Sequence, residues 1–180
     1  DIEKSTNDNE GDYYHFIGEE ERENVEDGQI MSRKSYSKGD LVYTKTSQAG
    51  VLYQEKAYFD SKTKQSKKFI RYLTDAWAKA SSYTYKKSVS VGVTVDLSGE
   101  KSFAKKVIAK LGLAVSASKS FEIGISIPAD KTKYSKLSLL NDQYKVIYKH
   151  KYYEGDKLTK TTKVTAYSPT KDFYLTPRYQ

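Results

Sequence analysis

The chain has 180 residues and a mass of 20.5 kDa, enough for one domain with a buried core. It has no cysteine, which excludes disulfides, thiol catalysis and thiolate metal sites, and its two histidines, His15 and His150, leave little for imidazole chemistry. The formal net charge is +8, from 27 lysines and 4 arginines against 23 acids, and no 18-residue apolar run is present to cross a membrane as a helix.

The charge is divided along the chain. Residues 1–28 carry eleven acids against Lys4 and Arg22, a net of -9, which leaves +17 on the remaining 152. Asp1 to Asp12 is nearly free of apolar residues, and Glu19 to Asp27 forms a second acidic cluster. Such composition does not fold alone, which predicts a disordered acidic tail over 1–28 and a single β-rich domain over 29–180. The alternative is an arm that lies on the basic body, anchored by Tyr13, Tyr14, Phe16 and Ile17 and weakened by salt. A start at Asp1 is what a processed secreted protein shows, and a trimmed expression product would look the same. The cysteine-free, Lys-, Tyr-, Ser- and Thr-rich composition suits export from a Gram-positive bacterium, so a secreted protein is expected.

Beyond residue 28 the dominant period is two. Ile30–Ser37 and Leu41–Ser47 are predicted strands around the turn Lys38-Gly39-Asp40. Val51–Phe59 and Lys68–Leu73 follow, divided by the polar stretch Asp60–Lys67, and Thr74–Ala80 around Trp77 is a helical turn or a bend. Near the end, Gln143–Tyr153 and Lys157–Tyr167 flank Glu154-Gly155-Asp156, a hairpin signal. Tyr144, Val146, Tyr148 and Tyr152 fall on one face of it, Lys145, Lys149 and Lys151 on the other. A short strand is expected at Asp172–Thr176, between Pro169 and Pro177. The fold class is therefore mostly β, an elongated antiparallel sheet or sandwich with one short amphipathic helix between two alternating strands.

That helix belongs to residues 86–128. Val89, Val91, Val93, Val95 and Leu97 alternate with Ser, Gly, Thr and Asp, and Leu113, Val115, Ala117, Phe121, Ile123, Ile125 and Ile127 repeat the alternation. Lys119 interrupts the second apolar face, and Pro128 ends it. Between the strands, Phe103, Val107, Ile108 and Leu111 follow helical spacing, with Lys101, Lys105, Lys106 and Lys110 around the remaining surface. Ser98 or Ser102 is the expected cap, and Gly112 fits the left-handed position after the helix. One-sided strands favour an antiparallel hairpin with a helical tip over a parallel crossover.

This serine- and threonine-rich alternation around a short amphipathic tip resembles the insertion region of aerolysin-type β-pore-forming toxins. It is also similar to secreted proteins of Gram-positive bacteria of uncharacterised role. The resemblance implies homo-oligomerisation, with Val89 to Leu97 and Leu113 to Ile127 facing lipid and Phe103 to Leu111 leading. Both runs reach the roughly 9–11 residues of a membrane strand. The same pattern also describes an ordinary core face covered by its own helix, or a partner interface.

Enzyme signatures are missing: no G-x-S-x-G, Walker A, G-x-G-x-x-G or H-E-x-x-H occurs. The run Asp8-Asn9-Glu10-Gly11-Asp12 fails the calcium-loop register, which would place Thr6 first and Ile17 twelfth. Catalysis, a metal and a cofactor are therefore not expected. Lysine in place of arginine argues against base readout, so no nucleic-acid partner is expected. Point charges suit an anionic membrane or cell-wall surface, with Lys101, Lys105, Lys106 and Lys110 as candidate contacts. The expected function is non-enzymatic action at such a surface, by aerolysin-like oligomerisation and hairpin insertion. The alternative is a soluble immunity- or inhibitor-type module whose lysine face meets an acidic protein.

Overall fold

The computed structural model describes residues 3–7, 11–23 and 35–180. Among these the order is β1 (Glu3–Asn7), β2 (Gly11–Ile17), β3 (Glu19–Glu21), β4 (Leu41–Ala49), β5 (Val51–Tyr72), β6 (Ser82–Tyr85), β7 (Ser88–Gly92), β8 (Thr94–Val95), α1 (Lys101–Lys110), β9 (Ser116–Ser120), β10 (Ile125–Pro128), β11 (Ser135–Glu154) and β12 (Lys157–Tyr179). The fold is mostly antiparallel β with one short helix, as the period of two requires.

Three long strands make the frame. The main sheet runs β1-β2-β12-β11-β5-β4, and β8 pairs with β12 as well. β11 and β12 close in a hairpin whose two-residue turn is Gly155-Asp156, where the sequence signals it. β5 is a single strand of 22 residues where two are expected. Its polar centre, Ser61 to Gln65, stays in the sheet because Ile147 to Gln143 supply its backbone partners. Asp172–Thr176 is likewise no separate strand but part of β12, which runs through Pro169 and Pro177. Pro169 sits beside a register shift, where a missing N–H interrupts the ladder least. Thr74–Ala80 is a series of bends tied by an isolated bridge from Ala78 to Ser135. Of the expected strand Ile30–Ser37, Ser35–Ser37 is not strand and the remainder lies outside the described residues.

One irregularity crosses the frame at Asp142. Ser66 and Lys67 of β5, and Thr170 to Asp172 of β12, are extra residues opposite it. Its buried carboxylate accepts bonds from the Lys67 N–H (2.8 Å), the Tyr174 hydroxyl (3.0 Å) and the Ser66 hydroxyl (3.3 Å). A slip of one residue exchanges the faces of a strand. Leu137 and Leu139 thus reach the core from odd positions, and Val146 and Tyr148 from even ones.

The core forms two clusters, and residues 86–128 contribute to both. In one, Val42, Val146, Tyr148, Val164 and Ala166 pack against Phe103, Val107 and Ile108 of α1. In the other, Phe16, Leu137, Leu139, Phe173 and Leu175 pack against Val89, Val91, Ala117, Phe121 and Ile127.

The expectation of a solvated leader over 1–28 does not hold for β1, β2 and β3, which are strands of the body. β2 pairs with β12 through Phe16 and Phe173, and β3 pairs with β9. Tyr13 and Phe16 are buried and Tyr14 is half-buried, whereas Ile17 is 58% exposed and anchors nothing. The hydrophobic residues of β2 gain a core here that composition alone does not reveal. Residues 1–2, 8–10 and 24–28 lie outside the described residues.

Candidate functional site

The 86–128 unit is an antiparallel hairpin, but its strands are shorter than the alternation suggests. The first divides at Val93: β7 pairs with β9, while β8 moves across to β12. The second divides at Phe121–Gly124: β9 stays with β7 and β10 pairs with β6, a strand the sequence pattern does not announce. α1 runs over Lys101–Lys110 and Gly112 has the predicted positive φ, +74°. Neither serine caps it. Glu100 is the cap residue without a side-chain bond, and the Ser98 hydroxyl donates to Asp96 and to the Lys163 carbonyl.

The apolar residues expected to face lipid or a partner mostly face the core. Val89, Val91, Val93, Phe103, Val107, Ile108, Leu113, Val115, Phe121 and Ile127 are buried. Val95, Leu111 and Ile125 are half-buried, and only Leu97 (108%) and Ile123 (85%) are exposed. At about 1.5 kcal/mol or more per buried side chain, the ten contribute about 15 kcal/mol or more of gross burial energy, which would be lost if the hairpin left the body. In this conformation the hairpin is structural. Its lysines point outward: Lys101, Lys105 and Lys106 are exposed and Lys110 is half-exposed.

The acidic arm clasps this hairpin. β3 adds a third strand beside β9, and the Val115 N–H donates to the Glu21 carbonyl (2.9 Å). Arg22 donates to the Gly112 carbonyl (2.8 Å), Ser116 to the Glu21 carboxylate (3.1 Å), and Lys106 pairs with Glu23 (2.8 Å). Between β2 and β3, a Cβ on Gly18 would lie 2.1 Å from the Ser118 carbonyl oxygen, so only glycine fits that crossing.

Beneath α1, His150 is buried between two rings. Phe103 stacks on it at 3.8 Å between ring centroids and Tyr152 at 4.2 Å, while its Nε2 lies 3.0 Å from Glu55. Burial lowers its pKa below the ordinary 6.5, against the opposing pull of Glu55. The neighbouring Tyr148 hydroxyl is buried with no hydrogen-bond partner among the described residues, and burial raises its pKa.

On the reverse face of the frame the register sets lysines against lysines. Lys149 lies directly opposite Lys163, and Lys151 directly opposite Lys56. Their same-face neighbours Ser61, Ile147, Tyr153, Thr161 and Thr165 carry no charge, and the acid beside them, Asp60 at the edge of this face, is paired with Lys38. Tyrosines alternate with the ammonium groups, Lys151 lying 4.9 Å over Tyr58 and Lys56 5.3 Å over Tyr153. Burial and a hydrogen bond with Tyr153 raise the Tyr58 pKa. The sequence places Lys149 and Lys151 on one face; their opposition to Lys163 and Lys56 is visible only once the register is known.

Among the described residues no group of three His, Cys, Asp or Glu is placed to hold a metal ion. Comparison with protein-family models, with curated proteins and with solved structures finds no match for this chain.

Proposed function

We propose that the chain is a secreted, non-enzymatic protein that acts at an anionic cell surface or membrane. It engages that surface through the lysines of the reverse face and of α1. The observation that carries this reading is the opposition of Lys149 to Lys163 and of Lys151 to Lys56. Like charges directly across a sheet are unfavourable by up to about 1 kcal/mol each. An anionic surface turns that cost into attraction, at about 1 kcal/mol per basic residue.

The resemblance to aerolysin-type toxins adds oligomerisation and insertion of residues 86–128 as a second step. Insertion has a stated cost: ten buried side chains leave two core clusters, and β3 releases β9. Surface binding therefore comes first. The test is co-sedimentation with vesicles of phosphatidylcholine alone or mixed with phosphatidylglycerol, at rising salt, with dye release followed in parallel. Binding to the anionic vesicles only, lost by about 0.5 M salt, is expected. Equal binding to both, or binding indifferent to salt, overturns the reading. The enclosed hairpin favours one other reading, a soluble module for an acidic protein. A stoichiometric complex with such a protein, without vesicle binding, would replace the proposal.

A further inference from the structure

At the edge of the lysine face the frame holds a cleft. The turn Ser37–Asp40 folds against β5, with the Gly39 N–H donating to the Phe59 carbonyl (2.7 Å) and the Phe59 N–H to the Asp40 carbonyl (2.8 Å). Ser61 and Phe59 pair with the consecutive residues Ile147 and Tyr148, so Asp60 is an extra, bulged residue. The bulge brings Asp60 within 3.4 Å of the Lys38 ammonium. Between turn and sheet lies a space of about 280 Å³, lined by Lys38, Tyr58, Asp60, Lys149 and Lys151 among others. Three lysines thus line one small cleft with one aspartate and one tyrosine.

We propose that this cleft binds a single anionic sugar residue. The inference rests on the reading of this face as a surface for anions, and it names the group recognised. Lys149 and Lys151 hold the carboxylate or phosphate, Asp60 accepts a hydrogen bond from a ring hydroxyl, and Tyr58 flanks the sugar ring. Each part of that ligand answers a feature of the cleft. The lysines are point charges without the planar fork that selects carboxylate, so either anion fits them. A small anion such as phosphate has no ring to lie against Tyr58 and cannot reach Asp60 with a ring hydroxyl while held by the lysines, and a neutral sugar would leave Lys149 and Lys151 without a counter-charge. The volume lies just under the roughly 300–1,000 Å³ of pockets for drug-sized molecules, which suits one sugar ring better than an oligosaccharide.

The test titrates the full chain with glucuronate, glucose 6-phosphate, inorganic phosphate and glucose, by calorimetry and by the ring resonances of Tyr58. The two anionic sugars are expected to saturate and to shift the Tyr58 signals, phosphate to bind at least tenfold more weakly, and glucose not at all. Lys149→Gln and Lys151→Gln should each weaken glucose 6-phosphate tenfold, with Lys149→Arg restoring it. Asp60→Asn should weaken the sugar phosphate but not phosphate itself. Lys131→Gln, in the exposed turn before β11, should change nothing. Equal affinity for phosphate and glucose 6-phosphate removes the sugar from the proposal. Unchanged binding in Lys149→Gln and Lys151→Gln, or no saturation by any probe, overturns it. The surface reading fails separately: sugars that saturate a protein unable to bind anionic vesicles leave the cleft standing, and the reverse result removes the cleft alone.

Discussion

Phe103→Ala tests whether α1 is fastened to the frame. Phe103 is 3% exposed, stacks on His150 at 3.8 Å and contacts the Tyr43 ring at 5.2 Å between centroids. Removing a buried phenylalanine costs about 3–5 kcal/mol, and the aromatic stack places this one in the middle of that range or above. A loss of about 4 kcal/mol is a large share of a domain's stability, yet it leaves the native state populated if that stability exceeds about 5 kcal/mol. With a urea slope of about 2 kcal/mol per molar, the unfolding midpoint should fall by about 2 M. Lys105→Ala, on the exposed side of the same helix, should move it by less than about 0.5 kcal/mol. Equilibrium urea unfolding followed by circular dichroism gives both values. A cost below about 1 kcal/mol for Phe103→Ala would mean that the helix is not docked in solution and that the hairpin is free to leave the body.

Three other outcomes follow from the same packing. Burial holds the folded-state pKa of His150 below 6.5 despite Glu55 and Glu100, with Lys160 adding to the depression, so the unfolded chain takes up this proton first. Its contribution to stability is complete above about pH 6.5 and declines as the pH falls below it; urea midpoints between pH 8 and 5 should show this decline, and His150→Gln should lack it. Phe16→Ala should cost about 3–5 kcal/mol and release β2 and β3 in amide hydrogen exchange, whereas Glu23→Gln, which breaks an exposed ion pair, should cost less than about 1 kcal/mol. High salt should therefore leave the arm in place, and exchange of Tyr14 to Phe16 that rises with salt would contradict this. Tyr148→Phe removes a buried hydroxyl with no described partner and should stabilise the protein by about 1 kcal/mol, a sign that thermal unfolding checks.

The parts of this fold that local pattern specifies are legible in the sequence. Alternation identifies β4, the turn-proximal part of the β11–β12 hairpin and, in pieces, the divided strands around α1, and the helical spacing of Phe103, Val107, Ile108 and Leu111 places the helix to within two residues. What pattern does not carry is the partner of each strand. Asp60–Lys67 is polar enough to pass for a loop, but β11 pairs with most of it and makes it the centre of a 22-residue strand. The slip at Asp142 reverses inside and outside along β11, which no fixed period anticipates. Tyr13 and Phe16 look isolated within an acidic segment, and only the core they join makes that segment a strand. The lysine face is half legible: Lys149 and Lys151 alternate visibly, whereas Lys56 is nearly a hundred residues away and reaches them only through the pairing of β5 with β11.

The most direct measurement is vesicle co-sedimentation of the parent chain beside a variant carrying Lys149→Gln, Lys151→Gln and Lys163→Gln. These side chains are exposed or half-exposed, so the fold should survive their neutralisation. The account predicts that the parent binds anionic but not neutral vesicles and that the variant loses at least tenfold in affinity, with a smaller dependence on salt. Equal binding by parent and variant, or binding to neutral vesicles, would contradict the assignment of this face to an anionic surface.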